Sequence, residues 1–207
     1  MVGQLLKDHI GTYKVLTDEE SDSVIKWFHD HEDLHMEGMV YASTEDGKVS
    51  EVQTVGDRKK TTQAYPAPDD PISHLLSYAI MNAYQAYKDD PEHLYPLGQP
   101  LVLQDLSVRR YHKGDGYFKK HADQSHGPTS TRQYGVLIYL NDVEEGGETN
   151  FDEIFCKIKP EKGKLLIFPC NFLYNHCGEV PISGDKYAVT CFICYPLWLP
   201  DEMPKSL

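Results

Sequence analysis

The sequence predicts an α+β domain in which a strand-rich second half closes into a sandwich or barrel and helices from the first half buttress one face. Three observations predict it. Helical periodicity with capping signals is confined to the residues before about 100. From there on, short runs rich in β-branched and aromatic residues follow one another. Turns rich in Gly and acidic residues or Pro, such as "NDVEEGG" and "PEKGK", separate them. No internal repeat, low-complexity tract or linker divides the 207 residues. A single domain over 1–207 is therefore expected, with 1–99 as mainly helical support plus a hairpin and 100–196 as the β core.

The elements can be justified in order. Thr17 and Glu20 have the spacing of a capping box, and Val24, Trp27 and Phe28 give one apolar face, which predicts a helix over about 18–31. "GMVYASTEDGKVSEVQTV" reads as a hairpin turning at Asp46-Gly47. In "DDPISHLLSYAIMNAYQAYKDD", Asp70 is the cap and Pro71 the first helical residue. Ile72, Leu75, Leu76, Ala79, Met81 and Tyr84 recur at near-helical spacing, so a second helix covers about 71–88. "LVLQDLSVRRY", "QYGVLIYL", "ETNF", "EIFCKIK", "KLLIFP" and "KYAVTCFICY" then read as strands. "GDRKKTTQAYPAPDD" and "DQSHGPTSTRQ" read as loops able to close over a ligand.

Composition narrows the functional classes. With 40% hydrophobic and 25% charged residues the chain is ordinary for a globular protein, and no apolar run approaches the ~18 residues of a membrane span. The N-terminal "MVGQLLKDHIGTYKVL" lacks a secretory pattern, so a soluble, cytoplasmic protein is expected. The five cysteines (Cys156, Cys170, Cys177, Cys191, Cys194) are odd in number and clustered late, which suits free thiols in a reducing compartment. The net charge of −12 is uneven: residues 105–186 hold 11 Lys/Arg against 12 Asp/Glu, and the remainder 9 against 20. A nucleic-acid partner is disfavoured, because phosphate binding wants a basic footprint.

Two constellations compete for the chemistry. "HEDLH", His31 to His35, has the spelling of a zinc-peptidase helix, but Asp30, Asp33 and Glu37 crowd it where a helix would have to be buried. In the strand-rich half, "HAD" supplies His121 and Asp123, two apart and so on one face of an extended segment. "NHCG" supplies His176, and Lys186 follows at the start of the last strand. Two histidines and one carboxylate form the facial set that holds Fe(II) with positions open for a chelating cosubstrate and dioxygen. Such a cosubstrate also needs a cation for its far carboxylate, a role Lys186 is placed to fill.

The ordered run "RRYHKGDGYFKKHAD", "RQYGVLIYLNDVEEGGETNF", "KPEKGKLLIF" and "NHCGEVPISGDKYAVT", over about 105–195, resembles the iron(II)/2-oxoglutarate-dependent dioxygenases of the prolyl 4-hydroxylase type. The resemblance implies a double-stranded β-helix, or jelly-roll, core with N-terminal supporting helices. It also implies hydroxylation of a prolyl residue in a peptide or protein with release of succinate and CO2. It makes His121, Asp123 and His176 the iron ligands and Lys186 the partner of the 2-oxoglutarate 5-carboxylate. Tyr111, Tyr139 and Thr190 match positions lining the same pocket, and Arg132 falls where relatives carry an arginine reaching toward the substrate. Fe(II) and 2-oxoglutarate are the implied cofactors, with ascorbate as a supporting reductant.

The chain departs from the pattern at positions that face substrate in relatives. Phe118 stands where several have tyrosine, and Phe192 where several have tryptophan; Asp152 also replaces a usual proline. Hydroxylation of a free amino acid or of a non-proline side chain is the alternative within the class. A jelly-roll module that holds metal without turnover is the alternative outside it. The oligomeric state is not written in the sequence.

Overall fold

The computed structural model describes residues 3–5, 9–43, 49–53, 57–90 and 101–196. Strands β1 (Gly3–Leu5) and β2 (Gly11–Lys14) lead into α1 (Asp18–Asp30). Next come β3 (Met36–Glu37), the paired β4 (Met39–Ser43) and β5 (Val49–Gln53), β6 (Lys59–Lys60) and β7 (Thr62–Ala64), and then α2 (Pro71–Lys88). The second half runs β8 (Val102–Tyr111), β9 (Tyr117–His121), β10 (Arg132–Tyr139) and β11 (Thr149–Phe151). It closes with β12 (Cys156–Ile158), β13 (Lys164–Pro169), β14 (His176–Gly178) and β15 (Lys186–Cys194).

The described residues are mostly β-sheet with two helices. One sheet of eight strands is ordered β1-β2-β13-β10-β15-β8-β7-β3, and a second of five is ordered β12-β11-β14-β9-β6. From β8 to β11 each strand lies in the opposite sheet from the one before it; β12 stays beside β11, and β13, β14 and β15 alternate again. This winding between two antiparallel sheets is consistent with a jelly roll.

Both helices begin as their capping residues dictate. Thr17 Oγ1 accepts from the Glu20 N–H, and Glu20 returns the bond to the Thr17 N–H. Asp70 caps α2 by accepting from the Ile72 N–H, and its other oxygen accepts from Trp27 Nε1 at 2.8 Å, tying α2 to α1. Leu76, Ala79, Ile80, Ala83, Tyr84 and Tyr87 of α2, with Val24, Trp27 and Phe28 of α1, pack onto Val136, Ile138, Leu165, Ile167, Val189, Cys191 and Ile193 of the large sheet. Each fully buried large side chain in such a layer contributes about 1.5–3 kcal/mol. Ile80 takes the inward place that periodicity gave to Met81, which is 40% exposed.

The first half is less helical than expected. It supplies β1, β2, β3 and β7 to the large sheet and β6 to the small one. The stretch read as the loop "GDRKKTTQAYPAPDD" provides β6 and β7, which pair with β9 and β8. The hairpin is present as the β4–β5 pair, while its turn at Asp46-Gly47 lies outside the described residues. "EIF" in "EIFCKIK" forms most of a 3-10 turn and its left-handed exit at Phe155, so only Cys156–Ile158 is strand.

Alternation along β15 separates two environments. Val189, Cys191 and Ile193 face the helix-side core; Ala188 and Phe192, with Lys186 and Thr190 in phase, face the space between the sheets. Cys191 and Cys194 accordingly sit in different clusters, on opposite faces.

Candidate metal centre

Register brings the histidines together. His176, the first residue of β14, pairs directly with His121, the last of β9, and their ring centroids are 4.4 Å apart. Asp123 lies two residues beyond the end of β9, so it reaches the site from a bend and not from the strand expected. Its Oδ1 is 3.4 Å from His121 Nε2 and its Oδ2 is 3.7 Å from His176 Nε2. One ligand atom from each of the three residues lies within 4.8 Å of the others, and this is the one such cluster among the described residues.

The tautomers are set by the backbone. His121 Nδ1 donates to the Lys119 carbonyl at 2.8 Å and His176 Nδ1 to the Tyr174 carbonyl at 3.1 Å, which leaves each Nε2 lone pair facing Asp123. His176 and Asp123 are buried and His121 is half-buried. Burial pushes the His176 imidazole down to about 4, against the pull of the Asp123 charge, so it is neutral at pH 7. Burial alone would raise the Asp123 carboxyl, but the two histidines and Arg132 outweigh it and hold the group below the usual carboxylate range. A carboxylate beside two imidazole Nε2 atoms is a donor set for a divalent metal.

Gly135 on β10 makes room for it. A Cβ there would lie 2.8 Å from Asp123 Oδ2 and 2.6 Å from Phe168 Cζ, so this position tolerates no side chain without moving the carboxylate. Nothing in the local sequence marks Gly135, because it sits inside a strand pattern with no turn signal.

Lys186, 1% exposed at the start of β15, pairs across to Tyr111 at the end of β8. Its ammonium makes one hydrogen bond, 2.7 Å to the Gly147 carbonyl, and lies 4.9 Å from the Tyr111 ring centroid and 5.3 Å from that of Tyr139. Burial pushes it down to about 8, with the Glu148 charge opposing. The Tyr139 hydroxyl donates to Thr149 Oγ1 at 2.7 Å. Thr190 is buried on the same face of β15 as Lys186 and pairs with Leu137.

The remaining candidates have other partners. Phe118 stacks on His121 itself, with centroids 3.6 Å apart. Arg132 is 6% exposed, lies 3.6 Å over the Phe192 ring, and is hydrogen-bonded to Gln104, Asp105 and the Asp123 carbonyl. It therefore presents little to a peptide, contrary to expectation, and Phe192 is occupied beneath it. Arg109 is buried and donates to Ser107 Oγ at 3.0 Å.

The alternative metal motif dissolves. Helix α1 ends at Asp30, and "HEDLH" spans its C-cap and a 3-10 turn. His31 Nδ1 hydrogen-bonds the Trp27 carbonyl and His35 Nε2 the Phe28 carbonyl, each at 2.8 Å, and the rings stack on Trp27 and Phe28. These histidines satisfy the open carbonyls of a helix end.

The fold and site define a mostly-β protein carrying a two-histidine, one-carboxylate metal site beside a buried lysine. Residues 106–194 match the family model of the 2OG-Fe(II) oxygenase superfamily. A probable prolyl 4-hydroxylase 9 from Arabidopsis thaliana is 30% identical over 116 residues, 44% of this chain and 40% of that protein, so the match spans less than half of either. The crystal structure of the viral collagen prolyl hydroxylase of Paramecium Bursaria Chlorella virus-1, in its 2OG complex, superposes with TM-score 0.66 at 20% identity, covering 92% of this chain and 98% of that one. A Trichoplax adhaerens prolyl hydroxylase, in complex with a hypoxia inducible factor oxygen degradation domain peptide fragment, gives TM-score 0.70 at 16% identity over 92% and 86%. These structural likenesses establish the fold. The 106–194 segment thus matches the 2OG-Fe(II) oxygenase superfamily, and part of the chain is similar to a prolyl 4-hydroxylase. That superfamily implies Fe(II) and 2-oxoglutarate, and the donor set, the space at Gly135 and the buried cation fit both.

Proposed function

We propose that this chain is an Fe(II)- and 2-oxoglutarate-dependent dioxygenase that hydroxylates a prolyl residue in a peptide or protein, releasing succinate and CO2. The convergence of His121, Asp123 and His176 on one point carries the reading. Its scaffold is a double-stranded β-helix, β8 to β15, supported by the two helices. The five cysteines are free thiols, which suits a reducing, cytoplasmic setting with ascorbate as reductant.

His121, Asp123 and His176 would hold the metal, which when bound supplies the oxidising power for C–H hydroxylation. The protein does the rest. Lys186 offers a desolvated positive charge to the far carboxylate of 2-oxoglutarate, and the low-dielectric wall of Tyr111, Tyr139 and Thr190 strengthens that pairing. Phe118 fixes the ring plane of His121 by stacking on it. Peptide recognition by this chain rests on analogy with the prolyl hydroxylases it resembles.

The test is succinate formation from 2-oxoglutarate by anaerobically Fe(II)-loaded protein, with and without proline-containing peptides, wild type beside His176→Ala. Peptide-stimulated succinate that vanishes in the variant, with one oxygen atom gained on proline, is the expected result. Turnover indifferent to every peptide would move the acceptor to a free amino acid or another side chain. Metal binding without succinate would leave a binding module.

A further inference from the structure

Arg132 carries a guanidinium buried in a strand, and three separate elements, β8, the bend at Asp123 and β15, supply its partners. Its Nε donates to Gln104 Oε1 at 3.0 Å, one Nη donates to the Asp105 carboxylate, and the other reaches the Asp123 carbonyl at 3.3 Å. The guanidinium face lies 3.6 Å over Phe192. The bonding is reciprocal: Gln124 Nε2 donates to the Arg132 carbonyl at 2.8 Å, while the Gln124 N–H donates to the Cys170 carbonyl at 2.9 Å. The backbone that carries Asp123 is thus held on both sides.

Asp105 reaches this network through a distortion of β8. Thr190 pairs with Ser107 and Phe192 with Gln104, so Asp105 and Leu106 together oppose Cys191 alone. Asp105 has φ +57°, a left-handed conformation unusual for a side-chain-bearing residue within a strand. The bulge turns its carboxylate onto the Arg132 guanidinium.

We propose that Arg132, clamped by Asp105 and Phe192, is a positioning residue that fixes the Asp123 backbone so that its carboxylate meets His121 and His176 in metal-binding geometry. This rests on the metal reading of those three residues. Partners of this kind are worth about 10–100-fold in metal affinity.

Co(II) is the probe, titrated into the full chain and followed by its visible absorption. His176→Ala comes first: wild-type Co(II) binding in that variant would sink the metal reading itself. With that reading intact, Arg132→Met is expected to weaken Co(II) at least about tenfold and shift its absorption bands. Asp105→Asn should move both in the same direction by less. Arg132→Lys, which keeps the charge but not the fork, should fall between wild type and Arg132→Met. Thr17→Ala, destabilised at a remote helix cap, should keep the wild-type spectrum and so separates positioning from loss of stability. Wild-type affinity and spectrum in Arg132→Met and Asp105→Asn would overturn the proposal, and if Arg132→Met fails to fold, Asp105→Asn decides alone.

Discussion

Replacing Lys186 by methionine should make the ligand-free protein more stable and remove its affinity for 2-oxoglutarate. Burial holds the ammonium at about 8 in the folded chain, against 10.5 for a solvated lysine. At about 1.4 kcal/mol per pH unit, keeping that charge buried costs roughly 3 kcal/mol at neutral pH. Methionine fills nearly the same volume without the charge but leaves the Gly147 carbonyl without its donor, which returns about 1 kcal/mol. A net gain of about 2 kcal/mol follows, or about 4–8 °C in melting temperature for a chain of this size. The sign with pH is fixed. The folded chain releases this proton near 8 and the unfolded chain near 10.5, so the wild-type penalty is complete below pH 8, shrinks through that window and is gone above it. Thermal unfolding of both proteins at pH 7, 8.5 and 10 reads this directly, and calorimetric titration with 2-oxoglutarate reads the function. A variant no more stable than wild type at pH 7, or an advantage that does not narrow with rising pH, would refute the reasoning.

Gly135→Ala places a methyl against Asp123 Oδ2 and the Phe168 ring. Overpacking should cost about 1–3 kcal/mol and the displaced carboxylate should lower Co(II) affinity, both measurable on one sample. His31→Ala and His35→Ala each remove a bond to a helix-end carbonyl and a ring stack, for a loss of roughly 1–2 kcal/mol with succinate formation unchanged; loss of activity with intact fold would revive the peptidase motif. Asp70→Ala removes the α2 cap and orphans Trp27 Nε1, and denaturant unfolding should show about 2–3 kcal/mol lost with Co(II) binding intact.

How much of this was legible in the sequence follows from what each signal depends on. Thr17 with Glu20, and Asp70 with Pro71, are local chemistry, and both helices start where these residues place them. The motif order from Tyr111 to Thr190 is likewise written along the chain, because the inward face of each strand repeats every second residue. Properties created by pairing were not legible. The short strands β3, β6 and β7 carry too few residues for a period: β6 and β7 form on the edges that β9 and β8 offer, and β3 on the edge of β7. Met81 and Ile80 exchanged roles because one residue of helical phase is all that separates exposure from burial. Asp123 lies past the strand end because β9 stops where β14 begins at His176.

Arg132 shows why position in a family pattern and role in a structure can part. An arginine in "TSTRQYG" carries no sign of whether its guanidinium faces solvent, a substrate or the protein, and its outcome here is decided by Gln104 and Asp105, nearly thirty residues upstream. A buried guanidinium needs its hydrogen-bonding directions met, since an unpaired charge in the interior is strongly destabilising. Asp105 meets one of them only by adopting a left-handed backbone, and Phe192 covers the face a smaller residue would leave open. The departure at Phe192 and the bulge in β8 are thus two parts of one arrangement, and its effect falls on the Asp123 backbone, at the centre of the proposed chemistry.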